Sequence, residues 1–116
     1  MPASADGFRI ESSIENATAR LRLAGEVDAA TAPVLESGIL EAAGAGVQEI
    51  VLACHDLDFI DSSGLSVLVA SHKRLRDTAC RLVVEAPPPA ALRLFEIAGL
   101  DRVLTIRDDG GRSTGK

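Results

Sequence analysis

From residue 17 onward the chain alternates between two hydrophobic periods, and this alternation limits its possible folds more than any other feature. "ATARLRLAGEV" (17–27) repeats every two residues, with Leu21 and Leu23 facing one way and Arg20 and Arg22 the other, as in a half-buried strand. "TAPVLESGILEAAGAG" (31–46) changes to helical spacing. Leu35, Ile39 and Ala42 or Ala43 form one stripe, Thr31 offers a cap, Pro33 suits a first turn and Gly44 offers a stop. "QEIVLAC" (48–54) is an apolar, β-branched run of the kind found in strands covered on both faces. "HDLDFID" reads as an acidic loop, and a second helix follows from about Ser63 to Arg76. "RLVVEA" is another buried strand. "PPPAALRLFEIAG" is a third helix that opens on prolines, turns Ala91, Leu94, Phe95 and Ala98 inward, and stops at Gly99 with Leu100 packed beyond the cap. "FRIES" supplies a first strand and "DRVLTI" a last one.

The predicted order is therefore β-β-α-β-α-β-α-β. An antiparallel pair followed by strand–helix alternation implies an α/β fold with crossovers and a partly parallel sheet. One domain is expected over residues 8–106, with 1–7 and 107–116 as polar, flexible tails. A chain of 116 residues buries about 60–70% of its unfolded surface, enough for one core. The N-terminal "MPASADG" lacks the basic and apolar regions of a signal peptide, and no apolar run approaches the ~18 residues of a membrane span. A cytoplasmic protein without membrane insertion is expected. The net charge of −5, the missing basic patch and the absence of Trp and Tyr argue against nucleic-acid binding. The two cysteines, Cys54 and Cys80, have no metal spacing. If their strands are parallel neighbours, they lie at opposite ends of the sheet and stay reduced. No metal, cofactor or dimer interface is expected, so the chain alone should be monomeric.

The second helix carries the candidate site. On a helical wheel Leu65, Leu68, Val69, His72 and Leu75 gather as a core face, and Ser63, Ser66, Val67, Ala70 and Arg74 gather opposite. A face of small residues with few Lys or Glu suits docking, although ordinary surface residues would produce it too. Asp61 or Ser62 can cap the helix, and Gly64 allows a tight turn. That structural role alone would account for "DSSG". The segment also follows the carboxyl end of a strand, where α/β sheets usually place their sites, and a helix N-terminus favours negative charge. A phosphate on Ser63 would meet that field, opposed by Asp56, Asp58 and Asp61. His72 reads as a boundary histidine and His55 as an exposed loop histidine.

Two partial motifs fail. "GLSVL" is half of a nucleophile elbow, but Leu68 stands where a second glycine is needed, and no histidine is placed as its base. "GGRSTGK", Gly110 to Lys116, matches the start of a phosphate loop without the strand, hydroxyl residue and helix that the motif requires.

"LDFIDSSGLSVLVASHKRLR", "GEVDAATAP" and "PPAALRLFEIAGLDRVL" together resemble the STAS domain of bacterial anti-sigma factor antagonists, from about Phe8 to Ile106. The resemblance implies a mixed four- to five-stranded sheet with helices packed mainly on one face. It implies a regulatory binding protein and no enzyme. The unphosphorylated form would bind an anti-sigma factor, itself a serine kinase of the histidine-kinase-like ATPase fold, and so free a sigma factor. The kinase would phosphorylate the serine directly before the glycine, Ser63, and the two proteins would part. A metal-dependent serine phosphatase would reset the switch. Asp28 of the G-E-x-D turn would lie near the acceptor, and Asp61, Ser62 and Gly64 complete the motif. Ser66 departs from a common glycine, and Cys54, His55 and the "PPP" run depart as well, which leaves partner identity open. The alternative is a constitutive STAS adaptor in a signalling or transporter-associated complex.

Overall fold

A computed structural model describes residues 2–5, 7–108 and 112–113, with side chains over 7–107. Among the described residues seven strands form one sheet in the order β1-β2-β3-β4-β5-β6-β7. They are β1 (Pro2–Ala5), β2 (Phe8–Glu15), β3 (Thr18–Val27), β4 (Glu49–Ile60), β5 (Arg81–Glu85), β6 (Thr105–Asp108) and β7 (Arg112–Ser113). The helices are α1 (Ala32–Gly44), α2 (Ser62–Leu75) and α3 (Pro89–Ile97), followed by a 3₁₀ turn at Leu100–Arg102. Strands β3 to β6 are parallel, and the outer pairs β1–β2, β2–β3 and β6–β7 are antiparallel.

The inner strands β2 to β6 are the predicted five, and two short outer strands widen the sheet beyond that expectation. Both outer strands fall in the segments predicted to be flexible tails. Pro2–Ala5 pairs with Phe8–Glu11, and Arg112–Ser113 pairs with Arg107–Asp108. Residues 1, 6, 109–111 and 114–116, and with them most of the partial phosphate-loop motif, lie outside the described residues.

Spatial order equals sequence order, and this explains the layering. Each parallel crossover moves one strand over in the same direction. Right-handed crossovers of that kind put α1, α2 and α3 on the same face of the sheet. Under them lies an apolar core built from Leu21, Leu23, Leu35, Ile39, Ile50, Leu52, Leu68, Leu82, Val84 and Phe95 with their neighbours.

Among the described residues the other face carries no helix, in keeping with helices packed mainly on one face, yet 48–54 is covered on both sides as its apolar run implies. Val51, Ala53 and Val83 are buried there. The register rows Arg20–Val51–Val83–Thr105 and Arg22–Ala53–Glu85–Arg107 set them between long polar side chains. Arg20 pairs with the buried Glu85, while Arg81 and Arg107 converge on Glu49 at 2.6 and 2.9 Å. Arginine stems cover apolar surface while their heads stay wet, so a charged lattice closes this face.

Four local expectations also change. "HDLDFI" is strand: β4 continues to Ile60 because β3 still pairs with it there, whereas β5 stops opposite Ala53. His55 therefore stands on the helix-free face, 4.0 Å from Glu85, and not in a loop. "DRVLTI" begins as the 3₁₀ turn and becomes strand only at Thr105. In α3, Ala91 and Phe95 are buried, while Leu94 and Ala98 face outward. Gly99 does take the left-handed conformation, at φ 75°, and Leu100 packs on the core as expected. The left-handed residue after α1 is Gly46, at φ 80°, and not Gly44.

Candidate functional site

The carboxyl ends of β3 and β4 lie side by side, with Val27 paired to Ile60. The Asp61 N–H donates to the Val27 carbonyl at 3.0 Å, so the strand ends are joined directly. Each strand is followed by an aspartate that opens a helix. The fold thus brings Asp28 and the 61–64 segment to one end of the sheet.

Asp61 is the cap of α2. Its Oδ1 accepts from the Ser63 N–H at 2.8 Å and the Gly64 N–H at 3.3 Å. Two of the free amides at the helix start are satisfied this way. Ser62 is not a cap. It occupies the first helical position, and its side chain is exposed. Ser63, the acceptor expected from the sequence, is half-buried, and Ser62 is the more exposed of the two serines.

Gly64 serves close packing and not a turn. A Cβ built on it would overlap the Ile60 side chain and stand 2.8 Å from Val27 Cγ1. Only a bare α-carbon lets α2 descend onto the two strand ends. The buried line of α2 is accordingly Gly64, Leu68, Ser71 and Leu75. Leu65, Val69 and His72, predicted as core, are only half-buried. The predicted wheel followed hydropathy, and a glycine and a serine in the true stripe carry no hydropathy signal.

A groove runs along the outer side of α2, lined by Ser62, Leu65, Ser66, Val69, Ala70 and Lys73 on the helix, and by Ala98 and Leu100 across from it. Of the predicted docking residues, Ser66 and Ala70 line this groove. Val67 packs partly against the core, and Arg74 is exposed but not in the groove. Leu65, Val69, Lys73, Ala98 and Leu100 were missed as groove residues. The last two approach α2 only through the turn after α3, which no local pattern reveals.

Asp28 repeats the device of Asp61 one strand away. Its Oδ1 accepts from the Ala30 N–H at 3.0 Å and the Thr31 N–H at 3.1 Å. The expected cap, Thr31, makes no capping bond to α1. Its buried hydroxyl points back into the loop instead, donating to the Glu26 carbonyl at 2.9 Å.

Neither histidine is positioned to activate a serine of this segment. His55 belongs to the helix-free face, and His72 lies about 13 Å along α2 from Ser63 at 1.5 Å per residue. The thiols are free and far from thiolate character. Burial, with the Glu85 carboxylate adding, pushes Cys54 up to about 12, and burial with Glu49 raises Cys80. Among the described residues no cluster of His, Cys, Asp and Glu could hold a metal ion, and no helix is long and apolar enough to cross a membrane.

The family described as "Mlab, STAS domain" matches residues 10–106. The anti-sigma-B factor antagonist of Bacillus subtilis (strain 168) is 31% identical over 94 residues, covering 79% of this chain and 85% of that protein. Among solved structures, an anti-sigma factor antagonist from Mycobacterium paratuberculosis superposes with a TM-score of 0.75 at 25% identity, covering 90% of this chain and 88% of the other. The Bacillus cell-fate determinant SpoIIAA in its phosphorylated form superposes with a TM-score of 0.69, also at 25% identity, covering 86% of this chain and 90% of the other. The chain belongs to the STAS-domain family, on the branch of the anti-sigma factor antagonists.

Proposed function

We propose that this protein binds an anti-sigma factor through the α2 groove and is released when a serine beside that groove is phosphorylated. The observation that carries this reading is the Ser62 hydroxyl. It is exposed at the first position of a helix whose entry is locked by Asp61 and Gly64, and it lines a groove of small and apolar side chains. Ser62 is therefore preferred over Ser63 as the acceptor.

The chemistry asks little of this chain. A bound kinase brings ATP and magnesium. The serine oxygen attacks the γ-phosphorus, its proton passes to a base of the kinase, and ADP leaves. The product sits at a helix N-terminus, where the helix dipole favours a phosphate, while the adjacent Asp61 carboxylate, which already occupies the Ser63 and Gly64 amides, opposes it. In the complex the same charge would be desolvated, and net charge would move from −5 to about −7, so the interface loses affinity. In this scheme the partner is an anti-sigma factor serine kinase, and a serine phosphatase restores the binding form. In this reading Asp28, at the same end of the sheet one strand away, serves the acceptor segment.

The test is intact-mass measurement after incubation with each purified anti-sigma factor kinase from the same genome, magnesium and ATP. One added phosphate is expected on wild type and on Ser63→Ala, and none on Ser62→Ala. Loss of the phosphate in Ser63→Ala alone would return the assignment to Ser63. Binding separates the switch from a constitutive adaptor: Ser62→Glu should bind the kinase at least tenfold more weakly than Ser62→Ala, and equal affinity would favour the adaptor.

A further inference from the structure

The contacts of the Asp28 carboxylate within its loop run through one oxygen. Oδ1 is consumed by the loop, accepting from the Ala30 and Thr31 amides. Oδ2 takes none of those bonds, and Asp28 follows the strand end joined to Asp61. What sets the direction of that carboxylate is Thr31. The Asp28 N–H donates to Thr31 Oγ1 at 2.9 Å, and the Thr31 hydroxyl donates to the Glu26 carbonyl at 2.9 Å with Asp28 Oδ1 at 3.2 Å. Thr31 is 1% exposed, so the hydroxyl has no water to exchange with. One buried oxygen thus ties the last turn of β3, the backbone of Asp28 and its carboxylate into a single unit. A threonine kept only to start a helix would direct its hydroxyl at the α1 amides, and this one does not.

We infer that Thr31 is a positioning residue for phosphoryl transfer, holding the free oxygen of Asp28 toward the acceptor serine while touching neither ATP nor the acceptor. The inference rests on the phospho-switch reading above. The hydroxyl is required for two reasons. It must accept from Asp28 and donate to Glu26 at once, and serine can do both while the near-isosteric valine can do neither. Small displacements of a positioned group are expensive in rate even when binding is untouched.

The experiment uses the full chain with the genome-encoded anti-sigma kinase that phosphorylates wild type, magnesium and ATP. It compares Thr31→Val, Thr31→Ser, Asp28→Asn and the Thr31→Val/Asp28→Asn double variant. Asp28→Asn is the loop-preserving control, because asparagine keeps an Oδ1 acceptor for the two amides and removes only the charge. Thr31→Val is expected to lower the transfer rate at saturating protein about tenfold or more, with the kinase dissociation constant within about twofold of wild type. Thr31→Ser should restore the rate to within about threefold. The double variant should be no slower than Asp28→Asn, since both changes remove one coupled function. Asp28→Asn, which folds whatever happens to Thr31→Val, must itself slow transfer at saturation. A wild-type rate in either single variant, or fully multiplicative losses in the double, would overturn the inference and leave the phospho-switch standing. If no kinase of that genome phosphorylates wild type, the phospho-switch falls and the inference with it.

Discussion

The two strand–helix junctions at the working end of the sheet use the same device and end differently. After β3 and after β4 an aspartate accepts from the amides two and three residues on. At Asp61 the helix begins at once, and the next residue, Ser62, is left exposed on its first turn. At Asp28 the chain makes a further turn before α1, and the hydroxyl in that turn, Thr31, is buried and bonded inward. The deciding residue is Gly64. By letting α2 press on Ile60 and Val27 it removes any room for an intervening turn. A capped junction thus presents or hides a hydroxyl according to how closely its helix approaches the sheet.

That contrast can be broken most severely at Gly64. Gly64→Val should cost about 3 kcal/mol or more, because the added atoms meet the buried side chains of Ile60 and Val27, which have no room to give way. Urea unfolding measures it, and a loss under 1 kcal/mol would show that α2 can lift freely. The caps come next. Asp61→Ala and Asp28→Ala should each cost about 1 kcal/mol, with Asp61→Asn and Asp28→Asn near zero. Unequal behaviour of the two asparagine variants in the same unfolding series would show that one of the carboxylates is doing something besides capping. The smallest effect serves as a reference away from both junctions. Glu49 on the helix-free face is held below its ordinary value of 4.5, first by its hydrogen bond from Arg81 and also by Arg107. A lowered carboxylate contributes stability above the unfolded value and loses it as pH falls through the folded one. Glu49→Gln should therefore be slightly less stable at pH 7 and lose less on acidification below about pH 4.5. Parallel acid limbs in thermal melts of the two proteins would contradict the ion-pair assignment.

How far the site was legible follows from what each residue looks like in isolation. The α/β order and the core positions Leu35, Ile39, Leu68 and Phe95 could be read because hydropathy repeats at the period of the element that carries it. The D-S-S-G segment could be placed at a helix start from its capping chemistry. The exposure of Ser62 over Ser63 could not, since a wheel phased by apolar residues is turned by a buried glycine and a buried serine. The extension of β4 to Ile60 was hidden because its last stretch pairs on one side only and so tolerates His55, Asp56 and Asp58. The outer strands Pro2–Ala5 and Arg112–Ser113 were hidden because pairing, not local composition, makes them strands.

By itself the sequence determined the alternation of elements, the apolar stripes of the inner strands and of α1, and the capping chemistry of the D-S-S-G segment. These depend on periodicity and on contacts a few residues apart. Tertiary structure alone decided which serine faces out, which small residues line the groove with Ala98 and Leu100, and that Thr31 turns inward to hold Asp28. These depend on how closely separate segments approach one another, and that distance is set by packing across the strand ends, which no local pattern encodes.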